Sequence, residues 1–516
     1  MLAAVRSAAV LGVDAFGVTV EVDVARGLPQ FTVVGLPMGA VRESRERVVT
    51  ALAHAGHPLP PRRVTVNLAP ADVRKQGTAF DLPIALGILV SLGVVPADAL
   101  DDTAVVGELA LDGTLRRVRG ALPIAAWAGR ERLRLVLPRA NVAEASHAAD
   151  VRIAAPATLA DVVDALVAGE LADARCPAPR APRDEPVDDL ADVVGQSAAR
   201  RALEIAAAGG HNVLLLGPPG AGKTMLARRL PGILPRLDPD EALEVLTVRS
   251  VAGLDCAAGA PSRPFRAPHH TISTAGLVGG GTPPRPGEIT LAHRGVLFLD
   301  ELLEFPRSTL DALRQPLEDG RLALARAAGT VVFPAQFTLV GAANPCPCGR
   351  AGEPGATCRC APVDVARYQS RLSGPLVDRL DMHVRVGAVP PRDMAAAARG
   401  EASAVVRARV EAARDRQRLR YASWPGIACN AQAAGRWVDA HGRVDPAGRE
   451  LLVLAAERLG LSARAFFRVL KVARTIADLE AVERVQRDHV AEAIRFRPAT
   501  CDPAPAMPTP NVDAAC

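Results

Sequence analysis

Lysine is almost missing from this 516-residue chain: only Lys75, Lys223 and Lys471 stand among 61 basic residues, and the rest are arginines. A lysine kept in so arginine-rich a sequence calls for a chemical reason. Aromatic residues make up 3%, too few to lay down a platform on which the bases of a single strand would stack. The longest apolar run, Leu82 to Val95, is 14 residues between Asp81 and Pro96. That is short of the ~20 needed to cross a bilayer, so a core element is expected there. Near the start, Arg6 and Asp14 break the apolar stretch and no small-residue cleavage pattern follows. No export signal is legible, and a cytoplasmic protein without membrane contact is the expectation. Nine cysteines are too few to staple a chain of this size with disulfides, yet four of them crowd between Cys346 and Cys360, which suggests a local site.

What is present is the composition of a folded globular protein, 49% hydrophobic and 23% charged, and disorder is excluded as its general state. At roughly 100–200 residues per domain the length points to about three to four folding units. Residues 1–170 alternate β-like runs such as Val18 to Val22 and Arg63 to Asn67 with helical stretches such as Ser44 to Ala55, the pattern of an α/β domain. A linker is expected over 171–187, where Cys176 to Pro186 holds four prolines that favour extended backbone. Over 188–395 short apolar runs alternate with helical patterns and Gly/Pro turns, predicting a mostly parallel sheet with helices on both faces. Residues 396–500 are rich in Ala, Arg and Leu at helical spacing and predict a small helical domain, with a flexible tail over 501–516. The net charge of +5 arises after residue 396.

Asn212 to Leu216 reads as a buried strand. It is followed by Gly217, Pro218, Pro219, Gly220, Ala221, Gly222, Lys223 and Thr224, and then by a helical pattern to Leu230. This is a complete phosphate-loop pattern. Its glycines let successive N–H groups face a polyphosphate at a helix N-terminus, where the peptide dipoles favour negative charge. Lys223 is expected on the β- and γ-phosphates and Thr224 on Mg²⁺. Some 75 residues on, Gly295 to Leu299 is an apolar strand ending in Asp300 and Glu301; Asp300 is expected to hold the Mg²⁺ water shell and Glu301 to polarise the attacking water. Gln336 to Asn344 is a third strand, ending in an amide that could orient that water, although Asn also favours turns. The three strand ends together describe an ATPase.

These strand ends occur with Pro264 to Ser273, Asn344 to Gly349, Arg367 to Asp381 and Ala473 to Leu479. With those segments the chain closely resembles the YifB/ComM family of magnesium-chelatase-like AAA+ ATPases over nearly all of residues 1–500. The resemblance implies an α/β fold class: an N-terminal Lon-protease-like domain, an AAA+ P-loop core and a C-terminal helical lid. It implies a homo-hexameric ring whose sites lie between subunits, with Arg379 as an arginine finger acting in trans. Such a guanidinium can be worth roughly 10³–10⁵ in rate; an intramolecular ion pair with Asp378 or Asp381 is the alternative. Arg464, preferred over Arg468, resembles the second sensor arginine, reaching the γ-phosphate of its own subunit. Asp192 to Gln196 resembles the segment lining the adenine. In the N-terminal domain, Lys75 to Asp81 matches the nucleophile segment of Lon-type proteases with Ala79 in place of the serine, and Leu122 falls about where the base lysine would be. Proteolysis is not expected of it.

Cys346, Cys348, Cys358 and Cys360 form a C-x-C-x₉-C-x-C array that could surround one structural Zn²⁺ or remain four reduced thiols in a loop. The resemblance places pore loops over Thr271 to Gly287 and over the hairpin-like Leu322 to Val332, with Arg326 near its tip as a phosphate contact; His269 and His270 could be donors or brace the ATP site. Between Arg399 and Arg420 seven arginines meet three acids, a stretch that could track a phosphodiester backbone or be a solvated helix face. The function implied is an ATP-driven motor on branched or single-stranded DNA, of the branch-migration type. A metal-insertion motor subunit and a regulatory or chaperone ATPase acting on protein are the competing readings.

Overall fold

The fold is described from a computed structural model over residues 2–497, apart from 37–38, 72, 74, 76, 175–187, 257–260, 283, 327–328, 352–356, 390–399, 425 and 434–441. Most of the expected linker and the whole of the expected tail lie outside the described residues.

The N-terminal unit is built on a seven-stranded mixed sheet in the spatial order Gln30–Val34, Arg63–Ala69, Asp14–Ala25, Leu2–Leu11, Thr103–Val105, Arg134–Val136, Arg152–Ala154. Along Asp14–Ala25 the valines at 18, 20, 22 and 24 are buried while the residues between them are at least partly exposed, the period-two pattern of a strand with one face in the core. The apolar run forms the helix Asp81–Ser91, buried at every position but the last. It packs on the two longest strands, and each large aliphatic side chain so removed from water is worth about 1.5–3 kcal/mol.

The second unit carries a five-stranded sheet in the order Phe265–Arg266, Val296–Leu299, Thr338–Ala343, Val213–Leu216, Met382–Arg385. Every pairing in it is parallel. Val296–Leu299 and Thr338–Ala343 are buried throughout, as strands covered on both faces must be. A parallel sheet brings the C-terminal ends of its strands to one edge, so Gly217, Asp300 and Asn344 share one edge and Asn212, Gly295 and Asp381 the other.

The C-terminal unit is helical, with Ser403–Tyr421, Pro446–Leu459, Ala463–Leu479 and Arg487–Arg495. Asp445 and Ser462 accept hydrogen bonds from the third residue on, Gly448 and Ala465, which caps the second and third helices. Four arginines of Ser403–Tyr421 have partners within the protein. Arg409 is paired with Glu204 and Glu401, Arg414 donates to the Ala207 carbonyl, Arg416 to the Asp478 carbonyl, and Arg420 binds the Asp478 carboxylate. Arg409 and Arg414 thus brace this helix on the core, while Arg416 and Arg420 tie it to the lid helix Ala463–Leu479. Among the described residues no helix is long and apolar enough to cross a membrane.

The N-terminal unit is docked on the helix Pro239–Ala252 of the core. Ser250 accepts from the amide of Leu122 at 3.3 Å and donates to the buried carboxylate of Glu144, and Leu122 packs against Leu246 and Cys256. The position expected near a protease base is thus an apolar contact with the core.

Candidate nucleotide site

The strand Val213–Leu216 runs between Thr338–Ala343 and Met382–Arg385, and its loop passes into the helix Lys223–Ile233. Gly220 and Gly222 take φ of +79° and +87°, values that residues with a Cβ adopt only at a cost. Lys223 is buried, and its Nζ donates to the carbonyls of Gly217 (2.7 Å) and Pro218 (2.8 Å) and to Oδ1 of Asn344 (3.0 Å). Burial lowers its pKa from the ordinary lysine value, while Asp300 and Glu301 act in the opposite direction. Thr224 Oγ1 donates to Asp300 Oδ2 at 2.6 Å. A hydroxyl and a carboxylate from different strand ends are hard oxygen donors of the kind that hold a hydrated Mg²⁺, so the donor set fits that ion.

Glu301 has φ +50°, unusual for a residue with a side chain, and its N–H donates to Asp300 Oδ1 at 3.0 Å. Its half-exposed carboxylate lies 3.0 Å from His270 Nδ1, and the His270 ring packs on that of His269 with centroids 4.1 Å apart. Gln196 Nε2 donates to the carbonyl of Gly387 at 2.6 Å and to that of Ala221 at 3.3 Å, tying the segment Asp192 to Gln196 to the loop. Lys223, Thr224, Asp300, Glu301 and Asn344 are therefore gathered at one sheet edge.

Arg379 and Arg464 are not among them. They line a cleft of about 750 Å³ at the other edge, beside Asn212, Gly295, Thr338 and Asp381, residues that precede or begin strands. A strand of four residues separates the edges by about 13 Å. Arg379 donates to the carbonyls of Arg314 (3.1 Å) and Pro375 (2.7 Å) and to Glu318 Oε2 at 2.5 Å; neither Asp378 nor Asp381 pairs with it. Arg464 Nη2 is 3.7 Å from the other oxygen of the same Glu318 and is mostly exposed. Arg468, one turn on, is bound to Asp381 and mostly covered. The Arg464 guanidinium thus lies at the edge away from the Lys223 of its own chain.

Cys346, Cys348, Cys358 and Cys360 place their sulfurs within 4.8 Å of one another, in a loop that begins two residues after Asn344. Arg326 lies opposite Gly329 at the tip of the hairpin Arg321–Arg326 and Gly329–Pro334; its side chain lies outside the described residues. Thr271 to Gly287 holds a short helix, Thr274–Val278, and the paired Gly279–Gly280 and Arg285–Pro286. The histidine doublet was read as possible donors or braces of the ATP site, and His270 is found beside Glu301. Glu318, which lies between Arg379 and Arg464, had no local signal in the sequence.

Three family descriptions match the chain: Magnesium chelatase, subunit ChlI over residues 189–394, Subunit ChlI of Mg-chelatase over 20–141, and Magnesium chelatase, subunit ChlI C-terminal over 400–497. The chain is 44% identical over 506 residues to the competence protein ComM of Haemophilus influenzae, covering 96% of this chain and 97% of that protein. It is 43% identical over 498 residues to YifB of Salmonella typhimurium, again covering 96% and 97%. Similarity to the magnesium-chelatase 67 kDa subunit of Chlorobaculum parvum is 29% over 160 residues, 30% of this chain and 23% of that subunit. On this likeness along almost its whole length, the chain belongs to the YifB/ComM family of magnesium-chelatase-like AAA+ proteins.

Proposed function

We propose that this protein is an ATP-hydrolysing hexameric motor that acts on DNA, driving branch migration during recombination of incoming strands. The observation that carries the ATPase part is the convergence of Lys223, Thr224, Asp300, Glu301 and Asn344 at one sheet edge. The phosphate loop from Gly217 to Thr224 binds the triphosphate, with Lys223 exchanging its carbonyl partners for phosphate oxygens. Thr224 and Asp300 hold Mg²⁺, which neutralises phosphate charge when bound. Glu301, aimed by its backbone and by His270, takes the proton of the attacking water, and Asn344 orients that water.

Arg379 and Arg464 complete the site of the neighbouring copy. Their place at the opposite edge of the sheet supports this reading, since a ring that stacks one copy's edge on the next brings the cleft of one subunit to the phosphate loop of the other. Arg464 is the better candidate than Arg468 because Asp381 already holds the latter. The four cysteines hold one structural Zn²⁺, and Arg326 at the hairpin tip meets DNA phosphate in the pore.

The likeness to a protein named for competence over 96% of the chain favours DNA as substrate over a porphyrin-metallating complex, for which the matching relative is covered over only 23% of its length. The test is incubation of the purified chain with ATP, Mg²⁺ and a labelled four-way junction. Conversion of the junction to duplex products, dependent on ATP and lost in Lys223→Ala, is the expected result. ATP turnover without strand movement would reject the DNA reading.

A further inference from the structure

We infer that the metal-bound cysteine loop is a clamp on the phosphate loop, so that zinc occupancy sets how tightly the protein holds nucleotide; this rests on the zinc reading above. The sulfurs of Cys346 and Cys348 are 3.3 Å apart, those of Cys346 and Cys358 3.7 Å, and those of Cys348 and Cys358 3.6 Å. Zn–S bonds of about 2.3 Å in a tetrahedron require sulfur separations of roughly 3.8 Å. The thiols therefore already stand near the corners of a zinc cage, and four thiolates form the closed donor set of a structural site. All four are free of disulfides.

Two connections lead from this cage to the nucleotide site. Along the chain, Cys346 follows Pro345 and Asn344, and Asn344 bonds Lys223. Through space, Gly349 lies between the two cysteine pairs with φ +78° and sits so close to the phosphate loop that a Cβ there would be 2.4 Å from Pro219 Cδ. Its N–H donates to the Cys346 carbonyl at 2.9 Å, which fixes it to the first ligand. On the far side, Gln369 in the helix Pro362–Gln369 donates to the Pro345 carbonyl at 3.0 Å. A zinc ion bound by Cys346, Cys348, Cys358 and Cys360 would fix the two cysteine pairs relative to each other, and Gly349 with the first of them. Gly349 so fixed then holds Pro219, and with it the phosphate loop, in one position.

The test pairs a zinc measurement with a binding measurement on the full chain. Zinc and iron are counted in purified protein, and the affinity for a fluorescent ATP analogue with Mg²⁺ is measured for native protein, for chelator-stripped protein before and after zinc is returned, and for Gly349→Ala. That last variant keeps every cysteine while pushing a methyl group at Pro219. About one zinc per chain is expected. Stripping should weaken nucleotide binding on the order of tenfold, reversibly, and Gly349→Ala should weaken it similarly with its zinc retained, because the added methyl group displaces Pro219. One zinc per chain with nucleotide affinity unchanged in both the stripped protein and Gly349→Ala would overturn the clamp and leave the zinc reading standing. Protein with no zinc, or with iron in its place, would overturn the zinc reading itself.

Discussion

Lys223 is held by three acceptors within 3.0 Å, a cradle in which only a long cation fits. Replacing it with Ala should abolish binding of the fluorescent ATP analogue, and full turnover in that variant would reject the site. In the proposed mechanism Glu301 contributes chemistry more than affinity, so Glu301→Gln should bind ATP and hydrolyse it at least ~10²-fold more slowly, read by phosphate release. The three rare lysines show how far composition carries. Lys223 is in the site, but Lys471 donates to the Ala431 carbonyl under the lid and Lys75 is buried in the N-terminal unit, so scarcity marks buried positions more surely than catalytic ones. Titration gives a second residue-level expectation. Burial holds His383 down to about 4, helped by Arg497 and opposed by Asp381. Its folded pKa lies below the unfolded value of about 6.5, so the unfolded chain binds the extra proton between those values. The stability it contributes is complete above about 6.5 and is lost as the pH falls toward 4. The drop in unfolding midpoint between pH 7 and pH 5 should be smaller in His383→Gln than in the native protein.

At the scale of elements, the helix Pro239–Ala252 joins the N-terminal unit to the core. Its Ser250 serves two partners, the amide of Leu122 and the carboxylate of Glu144. Ser250→Ala would strip a buried carboxylate of one donor, at a cost of about 1–3 kcal/mol. Calorimetry should show the lowest unfolding transition moved down while affinity for the ATP analogue is kept; an unmoved transition would mean that this contact does not hold the units together. Much of this level was legible in advance. The alternation of Val18 to Val22 gave the strand, the apolar run after Asp81 a core element that the structure shows to be a helix, and the order of loop, acids and amide a sheet with one chemical edge. Contacts between elements distant in sequence were not legible. The arginines of Ser403–Tyr421 read as a charged face because their partners, Glu204 and Asp478, lie some 60 to 200 residues away. A linear sequence does not say at which end of a strand a lid docks, so the cleft that Arg464 shares with Arg379 was not legible either.

At the scale of the whole molecule, the proposed function makes the two edges of the core sheet complementary halves of one site. One holds the phosphate loop and the acids; the other holds Arg379 and Arg464, joined by Glu318. On that proposal neither half acts within one copy, so activity should depend on assembly and fall on dilution below the association range. The most direct measurement mixes subunits carrying Arg379→Ala with subunits carrying Glu301→Gln in equal amounts and follows phosphate release. Each variant alone should be nearly inactive. In mixed rings about a quarter of the interfaces pair an intact Glu301 with an intact Arg379 from the next copy, and the account predicts recovery approaching that share of the native rate. A mixture no faster than the average of its two components, with mixed rings shown to form, would contradict it.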